Sequence, residues 1–297
     1  MGGPLYSGVM RGITLDGVVL VGSALNIGSV VAAPQDRPDP ATGRAIPGMA
    51  VTAWYHGKID RAGRTAAQVY EEARQFGEGD YAAALWKQKN GKLEDTERNA
   101  VADRLAALTG LSADTWIKAG LAMPVQAYLK QVLAADDLEA GAYDSRYTLP
   151  LAQSGGDPVA DDPAMGRYVP GFVAAFHTML HDDLKVDMPI PYTAIAWGDL
   201  NGKWSYKRAG VPEGSPFTTD LAIALRRNPS LRVMFATGLY DMVTNPASAA
   251  AQARQIGAPD GRVEVRQYES GHMLYLGGTA RQFSDDLRAF VQAGAPR

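Results

Sequence analysis

The chain has no cysteine and few histidines, and these two shortages narrow the chemistry that is open to it. Among its 297 residues there is no cysteine and there are 4 histidines. Without cysteine, the chain can form no disulfide and has neither a thiolate nucleophile nor a cysteine-based zinc site. Hydroxyl, carboxylate and imidazole groups therefore remain as the candidates for any catalytic chemistry.

The sequence also lacks a strong charge of either sign and any long apolar run. Its net charge is −3, which gives no reason to expect a nucleic acid or an anionic membrane as a partner. No apolar run reaches the roughly 20 residues that a membrane span needs, and the first residues do not resemble a signal peptide. The glycines around Gly22 lack the spacing of a dinucleotide site. We expect no cofactor and no metal.

Two segments near the C-terminus share one pattern, an apolar run followed by a glycine-bearing turn and a single ionisable side chain. The first segment leads into Asp241 and the second into His272. An acid followed by a histidine, each just beyond a strand, matches the second half of the α/β-hydrolase triad, whose chain order is serine, acid, histidine. We expect the Asp241 carboxylate to lie within hydrogen-bond reach of a His272 ring nitrogen, about 2.6–3.2 Å.

The residue types suit two catalytic roles. A serine hydroxyl becomes a good nucleophile only when a neutral imidazole accepts its proton, and a carboxylate must hold that imidazole in the correct tautomer. We therefore predict that His272 is the general base and that Asp241 orients it. From the residues alone, His272 could instead be a surface histidine in a turn, and Asp241 could be a turn or capping aspartate before Pro246.

The serine that should precede both residues is missing. No Gly-x-Ser-x-Gly elbow occurs in the chain, which begins with Met1-Gly2-Gly3. These residues look like an elbow cut off just after its serine, and a short helix is expected to follow at 5–11. We expect the nucleophile immediately before Met1, with the backbone N–H of Met1 at the oxyanion position. The alternative is an ordinary N-terminal segment without a catalytic role.

Apolar runs and helical spacing alternate along the chain in the manner of an α/β fold. The β-branched run Leu15–Gly22 predicts a strand buried in a parallel sheet, and residues 33–47 predict an irregular linker. Helices are expected at 65–76, 80–90, 94–109, 112–120, 218–228, 246–256 and 279–293, and further strands at 231–237 and 262–268. We predict a single domain over 1–297, with a helical cap inserted at 49–191.

Together these motifs resemble the bacterial branch of the serine carboxypeptidase family. The matching segments are Gly2-Gly3, 16–25, Tyr143–Tyr147, Gly238–Asp241 and Gly271–Met273. The resemblance implies an N-terminally truncated α/β-hydrolase fold and a peptide substrate that loses its C-terminal amino acid by acyl transfer. The absence of cysteine fits a bacterial member, because plant and fungal relatives carry disulfides. The family also suggests a periplasmic or secreted location for the intact gene product.

The departures from the family imply that this chain is inactive by itself. The serine, the glutamate before it and the upstream oxyanion segment are all absent. Because the strand before the elbow would be missing too, we expect residues 18–21 to form an exposed sheet edge and the chain to be poorly soluble. Two other functions stay open, a non-catalytic fragment or pseudoenzyme that binds a ligand or partner, and an esterase. No pattern indicates the oligomeric state.

The sequence contains two weaker candidate sites, a histidine pair and an aromatic cluster. His177 and His181 stand four residues apart, a spacing that can bind a metal on a helix, but the glutamate of a zincin is missing and a solvated helix is favoured. Trp197, Trp204 and Tyr206 could line a substrate cleft, although burial in the core is the favoured interpretation.

Overall fold

The protein is a mixed α/β structure with a small parallel sheet. The computed structural model describes residues 15–26, 35–190, 192–259 and 261–293. Its strands are β1 (Gly17–Val21), β2 (Leu138–Ala140), β3 (Thr148–Pro150), β4 (Arg232–Gly238) and β5 (Val263–Tyr268). Its helices are α1 (Ile46–Tyr55), α2 (Ala66–Phe76), α3 (Ala82–Lys89), α4 (Asp95–Thr109), α5 (Ala113–Lys118), α6 (Val125–Gln131), α7 (Pro163–Thr178), α8 (Trp197–Leu200), α9 (Phe217–Arg227), α10 (Pro246–Ile256) and α11 (Ala280–Gln292).

The parallel sheet has the strand order β1-β4-β5, so β1 is an edge strand within the described residues. Successive side chains of a strand point to opposite faces. Val233 and Phe235 pack in one cluster with residues of α9 and α10. Met234 and Ala236 pack on the other face in a cluster that includes residues of α11. Helices therefore cover both faces of the sheet, which explains why β4 is almost wholly buried.

The second hydrophobic core lies among α1 to α6. Thr65 caps α2 through a capping box with Gln68, so the predicted start of this helix is confirmed. The single hydrogen of the buried Tyr128 hydroxyl is shared between the carbonyl oxygens of Met49 at 2.7 Å and Thr109 at 3.0 Å. These bonds join α6 to α1 and to the end of α4, so helices that are distant in sequence form one packed unit.

One sequence prediction for this region is wrong in detail, and one feature was not predicted. Helix α1 begins at Ile46, inside the segment predicted to be an irregular linker. Pro47 stands in its first turn, where proline suits a helix because its missing N–H would have no partner there. The predicted helical block also contains the antiparallel pair β2 and β3. These strands have three residues each, too short to give an alternating pattern.

The helical core packs directly against the turn that follows β4. Leu239, Tyr240 and Met242 belong to the same buried cluster as the side chains of α1 and α2. Gly48 of α1 approaches Met242 so closely that a Cβ at this glycine would overlap the methionine sulfur. The turn that carries Asp241 is thus held between the sheet and the helices.

Partial burial of His56, where α1 meets the 143–147 segment, makes stability depend on pH. His56 Nε2 donates to the Ser145 carbonyl oxygen at 2.7 Å. Burial lowers the pKa of His56 below its usual value, although the bond to Ser145 acts in the opposite direction. The unfolded chain therefore binds more protons once the pH falls below about 6.5, and stability decreases as the pH falls through this range.

We expect the urea concentration at the unfolding midpoint to decrease as the pH is lowered from 7.5 to 5.5, and to decrease less in a His56→Gln variant. The matched control is His181→Gln, at an exposed histidine. Its urea midpoint should depend on pH as steeply as that of the wild type. Equal slopes for wild type and His56→Gln would show that His56 does not contribute.

Candidate active site

The acid of the site is a buried carboxylate in the turn after β4. Asp241 is fully buried. Its Oδ1 accepts hydrogen bonds from the backbone N–H groups of Val243 at 2.9 Å and Thr244 at 2.8 Å. These two bonds arise locally, because an aspartate at this position of a turn can bond the backbone two and three residues further on. They fix the carboxylate plane and leave Oδ2 for other partners.

His272 and Thr244 meet Asp241 at its second oxygen. His272 Nδ1 lies 2.9 Å from Oδ2, within the predicted range. The Thr244 hydroxyl donates to the same oxygen at 2.5 Å and lies 3.1 Å from Nδ1. Because a carboxylate can only accept, Nδ1 carries the proton and Nε2 becomes the proton acceptor of the ring. The arrangement can therefore take up a proton at Nε2 and stabilise the resulting imidazolium through Asp241.

The histidine can be reached from solvent while the acid cannot. The His272 side chain is 27% exposed and that of Asp241 is 0% exposed. Gly22, directly after β1, has a φ of +50° and packs against the ring, since a Cβ at this position would lie 2.8 Å from its Nδ1 and Cε1. A glycine is thus needed both for the backbone conformation and for the space under the ring.

The segment 141–147 holds both turns of the pair in place through hydrogen bonds to their backbones. It forms two hydrogen bonds with the acid turn, from Met242 N–H to the Ala142 carbonyl at 2.9 Å and from Ser145 N–H to the Tyr240 carbonyl at 3.0 Å. It forms two more with the histidine turn, from His272 N–H to the Tyr143 carbonyl at 2.7 Å and from Arg146 Nη1 to the Glu269 carbonyl at 3.0 Å. The pair is therefore positioned by a third segment that lies about 100 residues away in sequence.

Tyr143 of this segment also touches the histidine ring. The two rings meet edge to face, with centroids 5.2 Å apart and planes at 85°, a favourable aromatic geometry. Burial raises the pKa of the Tyr143 hydroxyl, and the negative charges of Asp162 and Asp241 raise it further. The hydroxyl therefore remains protonated at neutral pH and is available as a hydrogen-bond donor.

A Thr244→Val variant tests the hydroxyl that bridges the pair. Valine keeps the shape but removes the donor to a buried carboxylate, a loss that typically costs about 1.5–3 kcal/mol. We expect urea unfolding to show a loss of this size, and Thr244→Ser to recover most of it. Thr178→Val is the control, because Thr178 is exposed and bonds a carbonyl of its own helix; it should change stability by less than about 0.5 kcal/mol. Equal effects at both positions would contradict the bridging role.

The structure brings together the predicted acid and histidine. Asp241 and His272 meet, and their catalytic roles stay a prediction; Met1, the predicted oxyanion position, and the helix expected at 5–11 lie outside the described residues. The rings of His177 and His181 stack with centroids 6.0 Å apart, and no third metal-ligating side chain joins them in the described ranges.

The aromatic cluster differs from its prediction. Trp197, Trp204 and Tyr206 are 43%, 68% and 40% exposed, so the expectation that they are buried in the core is wrong. Sequence reasoning also missed Gly22 and Thr244 as neighbours of the pair. A glycine directly after an apolar strand, and a threonine three residues after the acid, were the available signals.

Within the described ranges, the helices are too short or too polar to cross a bilayer, as predicted. Comparisons of the chain with protein-family models, with curated proteins and with solved structures found no match.

Proposed function

We propose that this chain carries the acid and the base of a serine-type carboxypeptidase with an α/β-hydrolase fold. One observation carries the proposal: the buried Asp241 bonds His272 Nδ1 at 2.9 Å, at the point where two adjacent parallel strands end. Carboxyl ends of parallel strands are the usual place for an active site in an open α/β sheet. In the proposed enzyme, the nucleophilic serine belongs to polypeptide that precedes Met1, as the family resemblance implies.

The arrangement of the elements supports the finer proposal of a hydrolase fold. The strands follow the order β1-β4-β5 in a parallel sheet, the acid follows β4, and the histidine follows β5, which is the chain order of α/β-hydrolases. The helices α1 to α7 stand between β1 and β4 in the chain, where such enzymes carry a cap. We infer that this block covers the substrate.

The proposed reaction uses Nε2 of His272 twice. Nε2 takes the serine proton as the hydroxyl attacks the carbonyl carbon of the last peptide bond, and then gives that proton to the departing amino group. Water then enters and loses a proton to Nε2 as its oxygen attacks the acyl carbon. Nε2 returns that proton to the serine oxygen as the bond from the acyl carbon to this oxygen breaks, which releases the shortened peptide and restores the serine hydroxyl. Asp241 holds the ring in one tautomer throughout and stabilises the imidazolium at each stage.

The test extends the chain to include the residues encoded upstream of Met1. We expect an in-frame Gly-Glu-Ser sequence there, and we expect the longer polypeptide to react with a fluorophosphonate and to cleave blocked dipeptides with a free terminal carboxylate. Replacing His272 by alanine in the longer polypeptide should abolish both activities. The present chain should show no fluorophosphonate labelling that depends on His272.

The outcomes separate the proposal from its alternatives. Cleavage of the matching esters without cleavage of the peptides would favour an esterase, since the same triad serves both. A longer polypeptide that neither reacts nor cleaves would favour a binding protein or pseudoenzyme. Stoichiometric labelling of a serine in the present chain would show that the nucleophile has been placed wrongly.

A further inference from the structure

An apolar pocket includes Tyr143, the residue whose ring touches His272. It has a volume of about 400 Å³, and its walls include Tyr143, Val159, Trp197, Leu200, Trp204 and Tyr206. This volume falls within the range of pockets that bind small molecules or single side chains. The pocket is open to solvent on one side, since its tryptophan and leucine side chains are well exposed.

The exposure of these walls is costly unless they contact a ligand. Trp204 is 68% exposed, Leu200 is 57% exposed and Trp197 is 43% exposed. Burying a large apolar side chain is favourable, so three such side chains around one concavity leave a substantial stabilisation unused. Clustered apolar exposure of this kind marks binding sites.

Tyr143 connects the pocket to the catalytic pair. Its ring forms part of the pocket wall and also meets the edge of the His272 ring at 5.2 Å. A group bound in the pocket would therefore contact a residue that itself contacts the histidine, as expected for a side chain near the reacting bond.

The pocket wall also discriminates by charge. None of the described residues that form it is ionisable at neutral pH, and Asn201 and the tyrosine hydroxyls are its polar side-chain groups. A lysine or aspartate side chain entering it would lose hydration without gaining an opposite charge, which is strongly unfavourable. An aromatic side chain would instead stack on the two tryptophans.

We propose that this pocket is the specificity site for a large apolar, preferably aromatic, side chain of the substrate residue next to the cleaved bond. The proposal rests on the proposed function for the identity of the substrate. The binding of an aromatic side chain can nevertheless be measured on the present chain, without turnover.

The experiment titrates the present chain with N-acetyl-phenylalanine amide and follows its tryptophan fluorescence. We expect the phenylalanine compound to bind at least about ten-fold more tightly than N-acetyl-alanine amide and N-acetyl-lysine amide. Trp197→Ala and Trp204→Ala should each weaken binding about ten-fold. Trp86→Phe is the matched control, because the Trp86 indole lies on α3 outside the pocket and bonds the Gln35 carbonyl; it should leave the affinity unchanged. Circular dichroism verifies that each variant is folded.

The possible results distinguish a failed pocket from a failed function. Equal affinity for the phenylalanine and alanine compounds, or no effect of either tryptophan variant, would overturn the pocket. If the longer polypeptide cleaves peptides but shows equal kcat/KM for phenylalanine and alanine substrates, the pocket is not the specificity site and the proposed function stands. Aromatic binding by the present chain, together with no turnover by the longer polypeptide, would leave the pocket standing and overturn the function. A dimer that Trp204→Ala dissociates in light scattering would show that a second copy occupies the pocket, which also overturns the proposal.

Discussion

Replacing Asp241 by asparagine should lower kcat about 10⁴-fold in the longer polypeptide that carries the proposed serine. In the wild type, the buried Asp241 carboxylate accepts a hydrogen bond from His272 Nδ1 at 2.9 Å, so Nε2 is left to accept the serine proton. An asparagine fits the same space, but its NH₂ group can face Nδ1 and favour the tautomer with the proton on Nε2. That tautomer cannot act as a base. The measurement is kcat for a blocked dipeptide, together with the rate of fluorophosphonate labelling.

The control for this variant makes the same chemical change at an exposed position. Asp114 forms an ion pair with Lys118 one helical turn away, and its side chain is 69% exposed. Asp114→Asn should leave kcat unchanged, because exposed pairs of this kind contribute little. If a folded Asp241→Asn enzyme keeps more than a tenth of the wild-type kcat, Asp241 is not the acid of the site.

Gly238→Ala should destabilise the present chain by at least about 3 kcal/mol, or prevent it from folding. A Cβ at Gly238 would overlap the backbone carbonyl oxygens of Ser270 and Gly271. These groups cannot move aside freely, because the Ser270 carbonyl accepts the N–H of Tyr240 at 3.0 Å and so joins the two turns. We expect a lower urea midpoint or the loss of a cooperative transition.

Gly79→Ala is the matched control for the same substitution. Gly79 lies in a helical segment with open space where its Cβ would stand, so alanine should be neutral or stabilising by up to about 1 kcal/mol. A Gly238→Ala variant with the urea midpoint of the wild type would contradict the close approach of the two turns.

The helices and the parallel strands were largely predictable because their signals are local. Apolar spacing and the capping pair of Thr65 and Gln68 predict a helix such as α2. Helix α10 runs over the predicted residues, because Asn245 caps it and Pro246 starts it. The short strands β2 and β3 gave no such signal, since three residues cannot show a period.

The contact between Asp241 and His272 was also predictable, for a different reason. Parallel strands that are adjacent in a sheet end at the same edge, so the turns that follow them meet. No comparable rule relates the segment 141–147 to these turns, although it forms hydrogen bonds with both. Its place was decided by how the helical core packs on the acid turn.

The sequence by itself determined most of the local structure and the residues of the acid–histidine pair, since strands, caps and the turns that carry these two residues are recognised from neighbouring residues. Only the tertiary structure decided that Gly22 lies under the histidine ring and that Trp197 and Trp204 line an open pocket. The physical reason is that an apolar side chain has the same character in a core and in a binding site. Which of the two it occupies depends on the packing of elements that are distant along the chain.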